Sequence, residues 1–226
     1  MGSPLTVPRD INPDLGNAPM DSLLAGAERL EYSVLKRLLD LVGAVFGVLF
    51  LAPLFALVAL AIVIECPGPP LFRQRRTGYK GAPFVIYKFR SMRVQEDGAQ
   101  VVQAQKDDDR ITKVGRLLRR TSVDELPQLL NVLRGEMSLV GPRPHALAHD
   151  EFYGECVTGY DLRFRSKPGL TGLAQVCGFR GETVDIASMA ARIDKDLEYI
   201  RNWSFYLDIK ILIRTMFIFA FHPAAY

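Results

Sequence analysis

An acidic pair lies among arginines near the middle of the chain. Asp124 and Glu125 occur in TSVDELPQLLNVLRGEMSLVGPRP, residues 121–144, which ends in a Gly-Pro-Arg-Pro turn. Ser122 and Glu125 have the spacing of a helix capping box, and Asp124 could itself cap a helix that carries Pro127 in its first turn. The same two carboxylates could be the reactive end of an enzyme. The local pattern leaves both interpretations open.

Basic residues flank the acidic pair on both sides. Arginines precede it at the i, i+3 and i+4 spacing of a helical turn: Arg116, Arg119 and Arg120. Arg143 follows it in the Gly-Pro-Arg-Pro turn, and Arg180 lies in a second glycine-rich stretch, KPGLTGLAQVCGFRGET, residues 167–183. Glycines let a ligand approach the backbone closely, and arginines make paired contacts to phosphate oxygens. A helix cap requires none of these residues, so their presence favours a site for phosphate.

A β-hairpin is predicted between residues 71 and 92, LFRQRRTGYKGAPFVIYKFRSM, because two short strand-like runs flank a turn with glycine and proline. Alternation places Lys88 and Arg90 on one face of the second strand. On the other face it places three large side chains: Val85, Tyr87 and Phe89. The cationic face could be a solvated surface, a contact for lipid headgroups or a wall that binds phosphate.

Other reactive motifs are weak or missing from the sequence. It contains no Walker A lysine loop, no GxGxxG after a predicted strand and no GxSxG. His145 and His149 have the i, i+4 spacing of a helical metal pair, but no third ligand is evident. The acidic run at residues 107–109 lies in a polar stretch and is predicted to be a solvated loop.

Composition predicts one domain with a membrane element. The 226 residues are enough for one domain and an accessory element, and the hydrophobic fraction of 49% is high for a soluble protein. The net charge of +3 is too small to predict nucleic-acid binding. The three cysteines lack CxxC spacing and are odd in number, which favours a reducing compartment over a disulfide framework or a zinc site.

A long apolar segment lies near the N-terminus, where residues 42–64 carry no charge over 23 positions and so meet the length criterion for a membrane span. Pro53 divides this run into halves of 11 residues, and an interior proline kinks a helix. Each half is about 16 Å long as a helix, against a hydrocarbon core of ~30 Å. Basic residues flank both ends, whereas a span should show a charge asymmetry. The pattern favours a re-entrant helix-break-helix over a single span.

Five blocks of this sequence resemble one family. They occur in order between Lys36 and Tyr226: KRLLDLVGAVFG, FRQRRTGYKGAPFVIYKFRSM, RRTSVDELPQLLNVLRGEMSLVGPRP, KPGLTGLAQVCGFRGET and YIRNWSFYLDIKIL. Together they resemble the bacterial sugar transferase family, the monotopic phosphoglycosyl transferases, whose most specific motif surrounds Asp124. The GFRGET variant and the AAY ending resemble the exopolysaccharide branch. Because no four-helix membrane bundle precedes the catalytic part, the chain is similar to the short members.

The resemblance implies transfer of a phosphosugar from a UDP-sugar, in this branch UDP-glucose or UDP-galactose, to undecaprenyl phosphate, with release of UMP. It implies that Asp124 is the nucleophile of a ping-pong reaction with a covalent phosphosugar intermediate, the first membrane step of exopolysaccharide or glycoconjugate synthesis. Glu125 is the implied ligand of the required Mg²⁺. A carboxylate nucleophile is already ionised at neutral pH, and Mg²⁺ and arginines would neutralise the phosphates.

The resemblance also implies roles for residues outside the acidic pair. Phosphate binding is implied for four cations: Lys88, Arg119, Arg143 and Arg180. Asp196 and Asp208 fall at motif positions and are expected to be structural or to support the site from behind. The family's re-entrant helix often breaks at Ser-Pro, whereas the pair here is Ala52-Pro53, so the membrane break rests on the proline.

The expected fold is therefore α+β and mainly helical, with a re-entrant membrane helix, a small β-hairpin and amphipathic interface helices around one catalytic domain. Residues 1–28, rich in Pro, Gly and Asp, predict a flexible lead-in. Residues 29–66 hold the re-entrant helix, and residues 67–226 form the catalytic domain on the cytoplasmic face of the inner membrane. Aromatic, aliphatic and charged residues mix in 202–226, which favours an interface helix over an ordinary core helix.

The expected partners are a UDP-sugar, a polyprenol phosphate and the lipid bilayer, and no nucleic acid. The identity of the sugar and the formation of a homo-oligomer are left open by the sequence. One alternative function is a non-catalytic scaffold whose basic clusters bind anionic membranes, although a scaffold needs neither the acidic pair nor the glycine-rich turns. Another is a phosphohydrolase with water as the acceptor.

Overall fold

The computed structural model describes residues 20–93, 108–181 and 185–221, with side chains of the last helix described up to residue 218. The helices are α1 Met20–Tyr32, α2 Val34–Glu65, α3 Lys113–Thr121, α4 Leu129–Arg134, α5 Leu147–Cys156, α6 Leu173–Val176, α7 Ile186–Arg201 and α8 Phe205–Phe221. The strands are β1 Leu71–Thr77, β2 Pro83–Phe89, β3 Ser138–Val140 and β4 Gly169–Thr171. Short 3-10 helices cover Tyr79–Gly81, Val123–Gln128 and Tyr160–Arg165. The mainly helical α+β prediction is confirmed.

The predicted hairpin is present, but its cationic face points inward. Strands β1 and β2 pair antiparallel, with Leu71 opposite Phe89 at the open end. Phe84 and Ile86, which share the face of Lys88 by strand alternation, are buried in the main core. Burial of these two side chains sets which face is inside, so Lys88 is directed into the domain. Of the three alternatives left open for this face, a solvated surface does not apply to Lys88.

A second, parallel pair of strands was not predicted from the sequence. In this pair, β3 and β4 align Ser138 with Gly169 and Val140 with Thr171. Gly141 donates its N–H to the Thr171 carbonyl at 2.9 Å, and Gly169 donates to the Pro142 carbonyl at 2.8 Å. The ladder therefore joins the second glycine-rich stretch to the Gly-Pro-Arg-Pro turn that follows the acidic pair.

The N-terminal region is partly helical rather than a flexible lead-in up to residue 28. Helix α1 begins at Met20 and buries Leu23, Ala27 and Leu30 in the main core. A Cβ atom on Gly26 would lie 2.1 Å from the Ile200 carbonyl oxygen, so α1 packs directly on the backbone of α7. This apolar face explains why residues 20–28 form a helix. Residues 1–19 lie outside the described residues.

The apolar segment forms one helix, α2, that continues through Pro53. The expected separation into two helices at that residue is therefore not seen. Contacts on both sides of the proline hold the helix together, because Ala44 is buried in the main core and the Phe55 ring packs edge-on against Phe89 at 5.5 Å. Among the described helices, α2 is the one whose length and hydropathy would allow it to cross a membrane.

The C-terminal helix α8 has two faces. Asp208 and Ile211 are completely buried against the domain. Tyr206, Ile213 and Met216 are exposed, with Met216 73% exposed. The helix thus takes part in the core on one side and offers apolar side chains on the other, as an interface helix requires.

A buried ionic network ties the two apolar helices to the rest of the domain. The Lys36 ammonium donates to Asp208 Oδ2 at 2.8 Å and to the Val140 carbonyl at 3.0 Å. Asp208 also accepts from the Tyr199 hydroxyl at 2.8 Å and from Trp203 Nε1 at 3.2 Å. One carboxylate therefore connects α2, α7 and α8, and the lysine that neutralises it also reaches β3. The expectation of a structural role for Asp208 agrees with these contacts.

Breaking this network should destabilise the fold strongly. Lys36→Met leaves the Asp208 carboxylate buried without its cation, and we expect a loss of about 3–5 kcal/mol in the free energy of unfolding. The matched control is Lys80→Met, because Lys80 is 58% exposed where it pairs with Glu31, and an exposed pair adds little. Denaturant unfolding in detergent micelles measures both. Equal effects of the two substitutions would contradict the assigned role.

Candidate active site

The acidic pair lies at the start of a helical run, in a conformation that a capping box does not explain. Asp124 and Glu125 are in the first turn of the 3-10 helix Val123–Gln128, which continues directly into α4. Ser122 precedes them in the left-handed conformation, with φ 55° and ψ 19°, and makes no side-chain cap to the helix. Its hydroxyl instead accepts a hydrogen bond from Arg180. The capping-box interpretation is therefore wrong, although the pair does occupy the helix N-terminus, which favours anions.

Glu125 is held by two cations. Lys88 donates to its Oε1 at 2.8 Å, and Arg143 forks across the carboxylate, with Nη1 donating to Oε2 at 2.8 Å and Nη2 donating to Oε1. Burial raises the pKa of Glu125, but the charges and hydrogen bonds of Arg143 and Lys88 outweigh burial and hold that pKa well below its usual range. Glu125 is thus an ionised carboxylate at neutral pH.

Asp124 has the opposite electrostatic character. Burial, and to a lesser degree the charge of Glu125, raise the pKa of Asp124 to about 6, against the lowering effect of Lys88, Arg119 and Arg143. Two adjacent carboxyl groups whose pKa values are displaced in opposite directions are suited to different tasks. Glu125 accepts three hydrogen bonds from cations, whereas Asp124 is still mainly ionised at neutral pH but less stabilised in that form.

All four cations expected at the site are found around the acidic pair. Lys88 comes from β2 and Arg143 from the turn after β3, and both bind Glu125. Arg119, in the last turn of α3, lowers the pKa of Asp124 by its charge. Arg180, beyond α6, binds the Ser122 hydroxyl next to the pair. Four separate segments thus place positive charge on one pair of carboxylates.

Arg143 is itself positioned by a buried residue that the sequence did not indicate. Arg163 is 2% exposed and donates to the Arg143 carbonyl at 2.6 Å and to Asp196 Oδ2 at 2.8 Å. Its Nη1 also donates to His145 Nδ1 at 2.7 Å, and burial together with this guanidinium holds the pKa of His145 well below its usual range. A contact to a backbone carbonyl has no sequence motif, which is why Arg163 was missed.

This network also decides two weaker expectations. Asp196 supports the arginine behind the site, as expected, and does not contact the acidic pair through any described hydrogen bond. His145 precedes α5 and binds Arg163, while His149 lies within α5, so the two do not form a helical metal pair. Within the described ranges, no group of three or more His, Cys, Asp or Glu side chains is arranged to hold a metal ion.

A cavity of about 130 Å³ opens beside the acidic pair. At its polar end are Ser122, Glu125 and Arg180. The rest of its lining comes from β3, β4, α6, α8 and the 3-10 helix: Leu126, Leu139, Leu170, Thr171, Gln175, Val176, Leu212, Thr215 and Ile218. The site therefore has a charged centre and an apolar extension.

The fold and this site can be compared with known proteins. The sequence profile described as bacterial sugar transferase matches residues 31–222, most of the chain. This chain belongs to the bacterial sugar transferase family. The match includes both apolar helices, the hairpin and every site residue named above. The family resemblance seen in the sequence is thus confirmed.

Several curated relatives are similar to this chain over most of its length. UDP-glucose:undecaprenyl-phosphate glucose-1-phosphate transferase of Caulobacter vibrioides is 55% identical over 83% of the chain and 70% of that protein. The protein of the same name from Escherichia coli K12 is 50% identical over 91% of the chain but only 44% of its own length. Exopolysaccharide production protein PSS of Rhizobium leguminosarum is 48% identical over 81% of the chain and 94% of that protein. The chain thus spans less than half the length of the Escherichia coli relative.

The titration of Asp124 can be measured directly. Because burial and the charge of Glu125 raise its pKa, infrared difference spectra between the wild type and Asp124→Asn should show a carboxyl band that titrates near pH 6. In Glu125→Gln the midpoint should move down, since one of the two causes is removed while burial remains. Glu31→Gln, at an exposed pair with Lys80, is the control and should leave the band unchanged. If the midpoint is the same in Glu125→Gln as in the wild type, the charge of Glu125 does not raise the pKa of Asp124.

Proposed function

We propose that this chain transfers a phosphosugar from a UDP-sugar to undecaprenyl phosphate and releases UMP. UDP-glucose is the donor favoured by the names of the Caulobacter and Escherichia coli relatives, ahead of UDP-galactose. The observation that carries the proposal is the acidic pair itself, in which Glu125 binds Lys88 and Arg143 while Asp124 has a pKa of about 6. Such a pair offers one anchored carboxylate and one that can react.

In the first half of the proposed reaction, an ionised oxygen of Asp124 attacks the phosphorus that carries the sugar. An oxygen–phosphorus bond forms, and the bond from that phosphorus to the bridging oxygen breaks. The bridging oxygen leaves with the electron pair as part of UMP, and the sugar phosphate stays on Asp124 as an acyl phosphate. No proton has to be removed from the nucleophile, because a carboxyl group with a pKa of about 6 is mainly ionised at neutral pH.

In the second half, an oxygen of the polyprenol phosphate attacks the same phosphorus. The bond between that phosphorus and the Asp124 oxygen breaks, so the carboxylate is regenerated and the product is a polyprenyl diphosphate sugar. Both halves bring anionic phosphates towards an acidic pair, which electrostatic repulsion opposes. Lys88, Arg119, Arg143 and Arg180 surround the pair and would compensate that charge.

We also propose that Mg²⁺ is bound at Glu125 together with the diphosphate of the donor. Magnesium usually takes one or two protein carboxylates and completes its shell with phosphate and water, so a cage of several side chains is not needed. Three N–H groups of Lys88 and Arg143 occupy three of the roughly four acceptor positions of Glu125, which leaves one on Oε2. The ion would supply positive charge to the phosphate oxygens.

The membrane arrangement proposed for α2 is re-entrant, with the domain on the cytoplasmic face of the inner membrane. Both ends of the helix hold the same domain: Lys36 binds Asp208 near the start, and Glu65 accepts from the N–H of Lys113 at 2.7 Å at the end. The helix also packs against the domain between its two ends, because a Cβ atom on Gly43 would lie 2.6 Å from Leu139 Cδ1. A helix that crossed the bilayer would carry its two ends to opposite sides.

Two other functions make different predictions. A scaffold for anionic membranes would bind lipid headgroups through its basic residues. Lys88 and Arg143, however, form ion pairs with Glu125 inside the domain. A phosphohydrolase would use water in the second step and release free sugar phosphate. The acceptor-dependent product separates the hydrolase from the transferase, and UMP release separates both enzymes from the scaffold.

Asp124→Asn should abolish the reaction. The amide keeps the shape of the side chain but cannot form the acyl phosphate, so we expect UMP release from a UDP-sugar to fall by more than about a thousandfold. Asp109→Asn, in an exposed position of the described loop, is the matched control and should keep full activity. Mass spectrometry of the wild type with donor alone should find one sugar phosphate on Asp124. Retained activity in Asp124→Asn would exclude this nucleophile.

The topology of α2 can be tested by labelling in intact cells. Arg29→Cys and Arg75→Cys place thiols at exposed positions beyond the two ends of α2, in a background where the three native cysteines are serine. A membrane-impermeant maleimide added from the periplasmic side should label neither thiol, and both should be labelled after lysis. Labelling of one of the two in intact cells would mean that α2 spans the membrane.

A further inference from the structure

The apolar cavity beside the acidic pair plays no part in the steps above. The surface that lines it is mainly apolar, since six of the twelve lining residues are leucine, isoleucine or valine, and its charged residues are Glu125 and Arg180. The Thr171 and Thr215 hydroxyls in the wall are 2.8 Å apart, and Thr215 also donates to the Ile211 carbonyl at 2.8 Å. These hydroxyls already have partners, and the one polar lining atom among the described residues that is buried without a hydrogen bond is Gln175 Oε1.

The position of the cavity connects the site with both apolar helices. Helix α8 contributes Leu212 and Ile218 to the lining and exposes Ile213 and Met216 elsewhere on its surface. Leu139 lines the cavity and also packs against α2, because its Cδ1 would lie 2.6 Å from a Cβ atom on Gly43. The cavity thus lies between the acidic pair and the two elements best suited to contact lipid.

We infer that this cavity binds the isoprenoid units next to the phosphate of the lipid acceptor. The inference rests on the proposed function, because it assumes that the acceptor is a polyprenyl phosphate. The apolar walls match an isoprenoid chain, and the charged end places the acceptor phosphate near Arg180 and the acidic pair. The cavity takes only the proximal part of the chain, and the remainder extends into the bilayer.

The competing occupant is the donor, and the chemistry of the wall argues against it. A nucleobase or a sugar presents several hydrogen-bonding groups, and burying them against leucine side chains without partners costs free energy. An isoprenoid unit gains free energy from the same surroundings in proportion to the apolar area it buries. Leu126, Leu170 and Leu212 therefore select for the lipid.

Filling the cavity should weaken acceptor use alone. In Leu212→Trp, measured in the full chain in nanodiscs, we expect the KM for a polyprenyl phosphate to rise about tenfold, as the loss of burial for one isoprenoid unit predicts. The donor KM and the burst of UMP without acceptor should stay unchanged. The control is Ile213→Trp on the same helix, because Ile213 is 49% exposed and does not line the cavity. Short and long acceptors should be affected equally.

The possible failures are distinguishable. A raised donor KM with an unchanged acceptor KM would assign the cavity to the donor, and no change in either would show that the cavity binds no substrate. If Leu212→Trp does not fold, Ile218→Ala removes wall area instead and should raise the acceptor KM severalfold.

If the wild type releases no UMP from any UDP-sugar, the proposed function fails. Thermal stabilisation by a short polyprenyl phosphate, reduced in Leu212→Trp but not in Ile213→Trp, then still tests the cavity.

Discussion

A buried pair of carboxylates must be neutralised from several directions, and this requirement organises the catalytic half of the molecule. Burying one carboxylate costs several kcal/mol unless cations and hydrogen bonds compensate it, and here two are adjacent. The hairpin supplies Lys88 and the turn after β3 supplies Arg143, which contact Glu125 from different parts of the chain. The two contacts to Glu125 therefore join the hairpin, the turn after β3 and the helical run that begins at Val123.

Two further ionic networks lie behind that centre, and both reach the short strand β3 or the turn after it. Lys36 and Asp208 connect the apolar helices to the Val140 carbonyl, while Arg163 and Asp196 support the Arg143 carbonyl. A lysine and an arginine therefore bind backbone oxygens three residues apart. The two apolar helices and the acidic pair are thereby connected through a few residues of backbone.

The sequence indicated which residues come together better than it indicated the elements that hold them. The family resemblance pointed to the acidic pair and four cations, and the structure brings these residues together. The strand pair β3–β4 could not be predicted, since three-residue strands carry no periodic pattern. The continuous helix at Pro53 and the inward face of Lys88 depend on tertiary packing, by Ala44 and Phe55 in one case and by Phe84 and Ile86 in the other. Arg163 was missed because its partner is a backbone carbonyl.

The contact between Gly141 and Gly169 has a consequence for how sharply the site is defined. A Cβ on Gly169 would lie 2.1 Å from the Gly141 nitrogen, so the two main chains touch without any side chain between them. Side chains can change rotamer, whereas a contact between two main chains has no such freedom. The Arg143 guanidinium follows this rigid contact by two residues. Its position should therefore change less when the apolar core rearranges than it would if packed side chains held the turn.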